Sequence, residues 1–140
     1  MGLNEMKQKL RLIALVDTLE YLKKGGRVSS ATAMAGSLLG IKPVIAVENG
    51  TVAILGKARG SKNGSNMLMT LVETNGGIDF SLPFSLAYSG LDDTLLQKYI
   101  SDSTALYADK TDRLPIRTIG STIGTHVGPG AIAVSFFSNQ

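Results

Sequence analysis

An α/β fold, a mixed β-sheet covered by about three helices, is predicted by three features of this sequence. Apolar stretches of strand character are interleaved with stretches of helical spacing. An Asn-Gly pair joins two of the strands as a hairpin, so part of the sheet is antiparallel. No linker, internal repeat or low-complexity tract divides the chain. A length of 140 residues suits a single domain, 1–140, able to bury roughly two thirds of the surface its unfolded form exposes.

Each element has its own signal. Residues Asn4 to Arg11 are polar and charged, and Leu12 to Val16 then reads as a strand buried on both faces, because no polar alternation interrupts it. Leu19 to Lys24 predicts a short helical turn stopped by Gly25-Gly26. Ser29 or Ser30 caps the next helix, where Ala31, Met34, Ala35, Leu38 and Leu39 recur at helical spacing as far as Gly40. Pro43 to Val47 and Thr51 to Leu55 form a hairpin around Glu48-Asn49-Gly50. Gly56 to Lys62 reads as a basic, glycine-punctuated connection into a helix carrying Met67, Leu68, Leu71 and Val72, which stops at Asn75-Gly76-Gly77. From Phe80 to Tyr88 apolar residues fall on every second position, the period of a strand with one buried face, and Pro83 assigns that strand to an edge or a bulge. Asp92 or Asp93 starts a helix with Leu95, Leu96, Tyr99 and Ile100 on one side, extending as far as Tyr107. Leu114 to Ile119 is a short strand, and Ala131 to Phe137 closes the sheet.

Composition excludes several functions. With 44% hydrophobic and 18% charged residues and a mean hydropathy of +0.16, the chain is too apolar for a disordered tail. Its apolar runs fall far short of the ~20 residues that span a bilayer. The net charge of +3 comes from dispersed basic residues, and only 6% of residues are aromatic with no tryptophan, which argues against nucleic acid. No cysteine and one histidine leave no metal site, no cofactor is implied, and the absence of a signal-like start in a cysteine-free chain predicts a cytoplasmic protein. There is no Walker A pattern, no dinucleotide fingerprint and no Gly-x-Ser-x-Gly elbow.

The densest chemical candidate is Gly124-Thr125-His126-Val127-Gly128-Pro129-Gly130, where glycines and a proline hold the lone histidine and a hydroxyl ahead of a buried strand. Glycines can turn successive N–H groups inward to an anion, and His126 can add a proton or a hydrogen bond near neutral pH. The bland alternative is a plain turn. Arg27 after Gly25-Gly26 and Arg59 before Gly60 each display a guanidinium beside residues without side chains, a fork suited to carboxylate or phosphate, or else simply a solvated charge. Lys57 and Lys62 read as surface charges, and Met34, Met67 and Met69 as core or pocket lining. Asp92-Asp93 is explained by helix capping.

Four segments taken together carry a resemblance. Asp17-Thr18-Leu19-Glu20-Tyr21-Leu22-Lys23-Lys24-Gly25-Gly26-Arg27-Val28-Ser29, Gly36-Ser37-Leu38-Leu39-Gly40-Ile41-Lys42-Pro43, Lys57-Ala58-Arg59-Gly60 and Ile123-Gly124-Thr125-His126-Val127-Gly128-Pro129-Gly130 resemble, in that order, landmarks of the C-terminal lobe of DegV family proteins. The resemblance runs from about Leu12 to Phe137. It departs at Ala133, where the family often has a further glycine, and at Tyr88-Ser89-Gly90, where an acidic or histidine-bearing turn is common.

The resemblance implies a non-enzymatic lobe that helps hold a long-chain fatty acid in a tunnel and presents its carboxyl group to a fatty acid kinase. In that reading His126, with Thr125 beside it in the loop bounded by Gly124 and Gly128, contacts the carboxyl group. Arg27 and Arg59 face the kinase, and Met34, Leu38, Met67 and Leu71 line the tunnel. It also implies an N-terminal lobe of comparable size that this chain lacks, leaving half the site missing and an apolar face through which the lobe would self-associate. The reading from a different class is an anion- or phosphate-binding small-molecule enzyme or regulatory domain built on the His126 loop.

Overall fold

The protein is described by a computed structural model covering residues 9–24, 26, 41–48, 51–90, 93–107, 116–118, 128 and 130–139. Strand β1 (Leu10–Leu15) buries Ile13, Ala14 and Leu15 in succession because it lies inside the sheet. It pairs antiparallel with β2 (Ile41–Glu48) on one side and β6 (Ile132–Phe137) on the other. The expected strand at Leu12 begins two residues earlier, where Leu10 and Arg11 still find partners in Phe137 and Phe136. After β1, Thr18 caps the first turn of α1 (Glu20–Lys24), its Oγ1 accepting the Glu20 N–H at 3.3 Å.

The hairpin forms as the Asn-Gly signal predicts, between β2 and β3 (Thr51–Arg59), with Asn49 and Gly50 outside the described residues. Its second strand is longer than expected. Gly56 to Arg59, read from sequence as a connection, is strand: Val44 pairs with Gly56 and Ile45 with Ile54, so Leu55 is an extra residue. Such a bulge bends the strand without ending the ladder, which continues to Ile41 opposite Arg59. A Cβ at Gly56 would lie 2.7 Å from Met67 Sδ of the following helix, so a larger residue there displaces the Met67 side chain.

Helix α2 (Gly60–Thr74) starts directly after Arg59. It buries Leu68 and Val72 completely, and α3 (Thr94–Asp102) buries Leu96 in the same way. Each such side chain contributes roughly 1.5–3 kcal/mol relative to exposure. A shorter helix, α4 (Thr104–Tyr107), follows Ser103, so the predicted helix reaching Tyr107 is broken into two pieces. Asp93 occupies the N-cap position of α3, and its carboxylate accepts a bond from Gln97 Nε2 at 3.1 Å.

Between α2 and α3 the expected Phe80–Tyr88 strand is only half correct: β4 covers Ser85–Tyr88. Upstream, the Asp79 carboxylate accepts bonds from both the N–H and the hydroxyl of Ser81, and the Asp79 carbonyl accepts the Leu82 N–H at 3.1 Å. That turn uses the donors a ladder would need, and Pro83 supplies none. The alternating aromatics are instead a cluster, with Phe80 meeting Phe84 edge to face at 5.1 Å.

Among the described residues six strands lie in the order β3-β2-β1-β6-β4-β5, with β5 (Ile116–Thr118) parallel to β4 and the other strand pairings antiparallel, a mixed sheet as predicted. Ile13, Leu15, Val44, Ala46, Leu86, Ile132, Val134 and Phe136 share one face and pack with α2, α3 and α4. On the other face Ala14, Ile45, Ala131 and Ala133 pack with Leu19 and Leu22 of the α1 region.

Candidate functional site

Strand polarity gathers the informative residues on one rim. Strands β1, β3, β4 and β5 end there, while β2 and β6 begin there: Ile132 pairs with both Leu15 and Tyr88, Thr118 with Tyr88, and Arg59 with Ile41. Helix α2 starts on this rim directly after β3, so the positive end of its dipole lies on it. Helices α1, α2 and α3 each follow a strand that ends on this rim.

Gly128 stands on this rim just before β6, with φ +79°, a conformation that favours glycine. Its neighbour from α1 is Tyr21: a Cβ at Gly128 would fall 2.3 Å from Tyr21 Cδ2. From β4, Ser89 ties the segment down. Its Oγ donates to the Gly128 carbonyl at 2.6 Å and accepts the Ala131 N–H at 2.9 Å. Two backbone bonds run alongside, Ser89 N–H to the Ala131 carbonyl and Gly130 N–H to the Ser89 carbonyl, each 3.1 Å. Beneath Gly130 lies Asp17, which forms an ion pair with Lys42 and so links the end of β1 to the start of β2.

The other expected site residues divide. Arg59 is exposed at the end of β3 and its carbonyl accepts Asn63 Nδ2 at 2.9 Å. It shares the rim with Gly128, but β2 and β1 intervene between β3 and β6, a separation of about 14 Å at the usual strand spacing. Met67 and Leu71 line an open groove of about 420 Å³ between α2 and β3, with Leu55 and Gly56 opposite and Asn63, Asn66 and Thr70 along its polar side. That groove follows the β3 edge of the sheet, away from the β1–β6–β4 centre that holds Gly128. Gly124, Thr125, His126, Arg27, Met34 and Leu38 lie outside the described residues.

Sequence reasoning missed Ser89, Tyr21, Asp17 and Lys42. A serine just past a strand end and just before Gly90 was the available signal for Ser89, yet its partners lie 39 and 42 residues downstream. Tyr21, exposed on a helical turn, has no pattern that foretells a glycine stacked against it.

Fold and rim together define an α/β lobe whose sheet carries a serine-anchored, glycine-bearing turn on the edge where its strands end. Residues 2–139 match the family model described as "Uncharacterised protein, DegV family", and the chain belongs to the DegV family. A DegV domain-containing protein of Clostridium acetobutylicum is 33% identical over 145 residues, covering 97% of this chain and 46% of that protein. Among solved structures, a fatty acid binding DegV family protein from Streptococcus agalactiae superimposes with a TM-score of 0.76 at 28% identity, over 98% of this chain and 47% of the other. A DegV family protein from Thermus thermophilus, described by its fatty acid binding, gives 0.76 at 26% identity over 96% and 48%. The chain spans about half the length of the curated relatives it matches.

Proposed function

We propose that this chain is one lobe of a fatty acid-binding protein and takes part in holding a long-chain fatty acid whose carboxyl group sits at the rim carrying Gly128. The observation that carries the reading is the match of nearly the whole chain to half of a protein named for fatty acid binding. Physical chemistry is consistent with it. A carboxylate leaving water needs donors at one end, while each methylene buried elsewhere gains about 0.8 kcal/mol. His126 and Thr125 supply the imidazole and hydroxyl that the family resemblance assigns to the carboxyl group. The second half of the site comes from another lobe in this reading. Arg27 and Arg59 form the surface that meets a fatty acid kinase, and the lobe presents its ligand there without catalysing a reaction.

An anion or phosphate site made from the same loop draws less support. The Gly130 and Ala131 N–H groups, which a nest at this end would turn toward an anion, are already bonded to Ser89.

The test is denaturing solvent extraction of the purified protein followed by mass spectrometry, beside a version extended by an N-terminal lobe. Stoichiometric fatty acid in the longer protein is expected, and its presence in both would give this lobe most of the tunnel. Fatty acid in neither overturns the reading.

A further inference from the structure

We propose that Ser89 is the positioning residue of the backbone at Gly128 and Gly130–Ala131, with the Tyr21 ring as its second support, so that these residues are set before a ligand arrives. A strand-end turn needs only the two backbone bonds between Ser89 and Gly130–Ala131. The hydroxyl goes further, donating to the Gly128 carbonyl at 2.6 Å while accepting the Ala131 N–H at 2.9 Å. A serine hydroxyl carries one proton and can accept as well as donate, and both capacities are used here. The peptide plane leaving Gly128 is thereby fixed from the β4 side. On the α1 side the Tyr21 ring occupies the space where a Cβ of residue 128 would stand. A segment held from two elements loses less freedom when it binds, which favours affinity. His126 precedes Gly128 by two residues in the chain, so its imidazole serves as a nearby reporter of the Gly128 backbone.

The consequence for ligand affinity rests on the fatty acid reading, whereas the positioning role does not, and the test separates them. The chain contains a single histidine, so its imidazole gives one resonance to follow by NMR. In Ser89→Ala the Ala131 amide is expected to exchange at least tenfold faster and the His126 imidazole resonance to shift. Ser89→Thr, which keeps the hydroxyl, restores both. Tyr21→Phe leaves the resonance in place and Tyr21→Ala moves it. An unchanged exchange rate together with an unchanged imidazole resonance in Ser89→Ala overturns the proposal. In the protein with both lobes, displacement of a fluorescent fatty acid by oleate should show about a tenfold weaker affinity for Ser89→Ala and an unchanged affinity for Ser89→Thr. If the unsubstituted two-lobe protein takes up no oleate, the fatty acid reading fails, and the amide and imidazole measurements still decide the role of Ser89.

Discussion

The Tyr21 ring closes over Gly128 so tightly that a methyl group at residue 128 would overlap it, the nearest ring carbon being 2.3 Å from the position of the missing Cβ. Gly128 also has φ +79°. Gly128→Ala therefore meets two obstacles, a left-handed backbone costing about 1–3 kcal/mol for a residue with a side chain and a displaced ring. Urea unfolding should report a loss in that range for Gly128→Ala. In a Tyr21→Ala background the steric part disappears, so the same substitution should cost measurably less. An equal cost in both backgrounds would remove Tyr21 from the account.

Inside the core, the Tyr99 and Tyr107 hydroxyls lie 2.8 Å apart. Burial pushes Tyr99 up to about 12, and burial followed by the charge of its partner raises Tyr107 further. Both folded values exceed the usual value near 10, so the folded state keeps protons that the unfolded chain gives up. The sign follows directly. Stability is level below pH about 10, then falls by about 1.4 kcal/mol per pH unit for each tyrosine as the pH rises toward 12. Alkaline denaturation measured from pH 9 to 12 should show this slope, and the Tyr99→Phe/Tyr107→Phe double variant should flatten it. At pH 7, Tyr99→Phe alone strands the Tyr107 hydroxyl and should cost about 1–3 kcal/mol, whereas the double variant should cost less. A double variant less stable than either single one contradicts the paired arrangement.

Asp17 and Lys42 invite a larger effect than they should give. The pair joins β1 to β2 under the glycine turn, but the Asp17 side chain is 57% exposed and Lys42 is 19% exposed. An ion pair that water reaches contributes about 0–1 kcal/mol and weakens with salt. A double-mutant cycle with Asp17→Asn and Lys42→Met should return a coupling within that range at low salt and a smaller one in 1 M salt. A coupling of several kcal/mol would mean that the pair is far better shielded than its exposure indicates.

Much of the sheet could be read from residue order because local pattern and tertiary role agree. Ile13 to Leu15 form an unbroken apolar run, and the strand is central; Leu68 and Val72 stand four apart on α2, and both are fully buried. Reading failed where a residue serves a distant partner. Gly56 looks like a breaker, yet it is a strand residue packed against Met67 of the next helix. Phe80 and Phe84 keep a strand period, yet the Asp79 carboxylate bonds to Ser81 turn the chain before Pro83. At the rim, Gly128 was marked by its neighbours in the chain, whereas Ser89, which anchors it, stands just past another strand and has no local signature.

On the fatty acid reading, Arg59 and His126 have separate tasks that substitution can tell apart. Arg59 is exposed at the end of β3, separated from β6 by β2 and β1, so a ligand seated beside Gly128 lies outside the guanidinium's direct reach when the side chain points away from the sheet centre. In a protein with both lobes, Arg59→Ala should leave oleate uptake within about twofold while lowering the rate at which a fatty acid kinase phosphorylates the bound acid by tenfold or more, the loss of one charge-assisted contact at a partner surface. His126→Ala should lower that phosphorylation more than it lowers thermal stability. Binding by equilibrium displacement and turnover by phosphate transfer separate the two roles. Weakened oleate uptake in Arg59→Ala would move the arginine into the ligand site, and undiminished phosphorylation in His126→Ala would strip the histidine of its part in handling the carboxyl group.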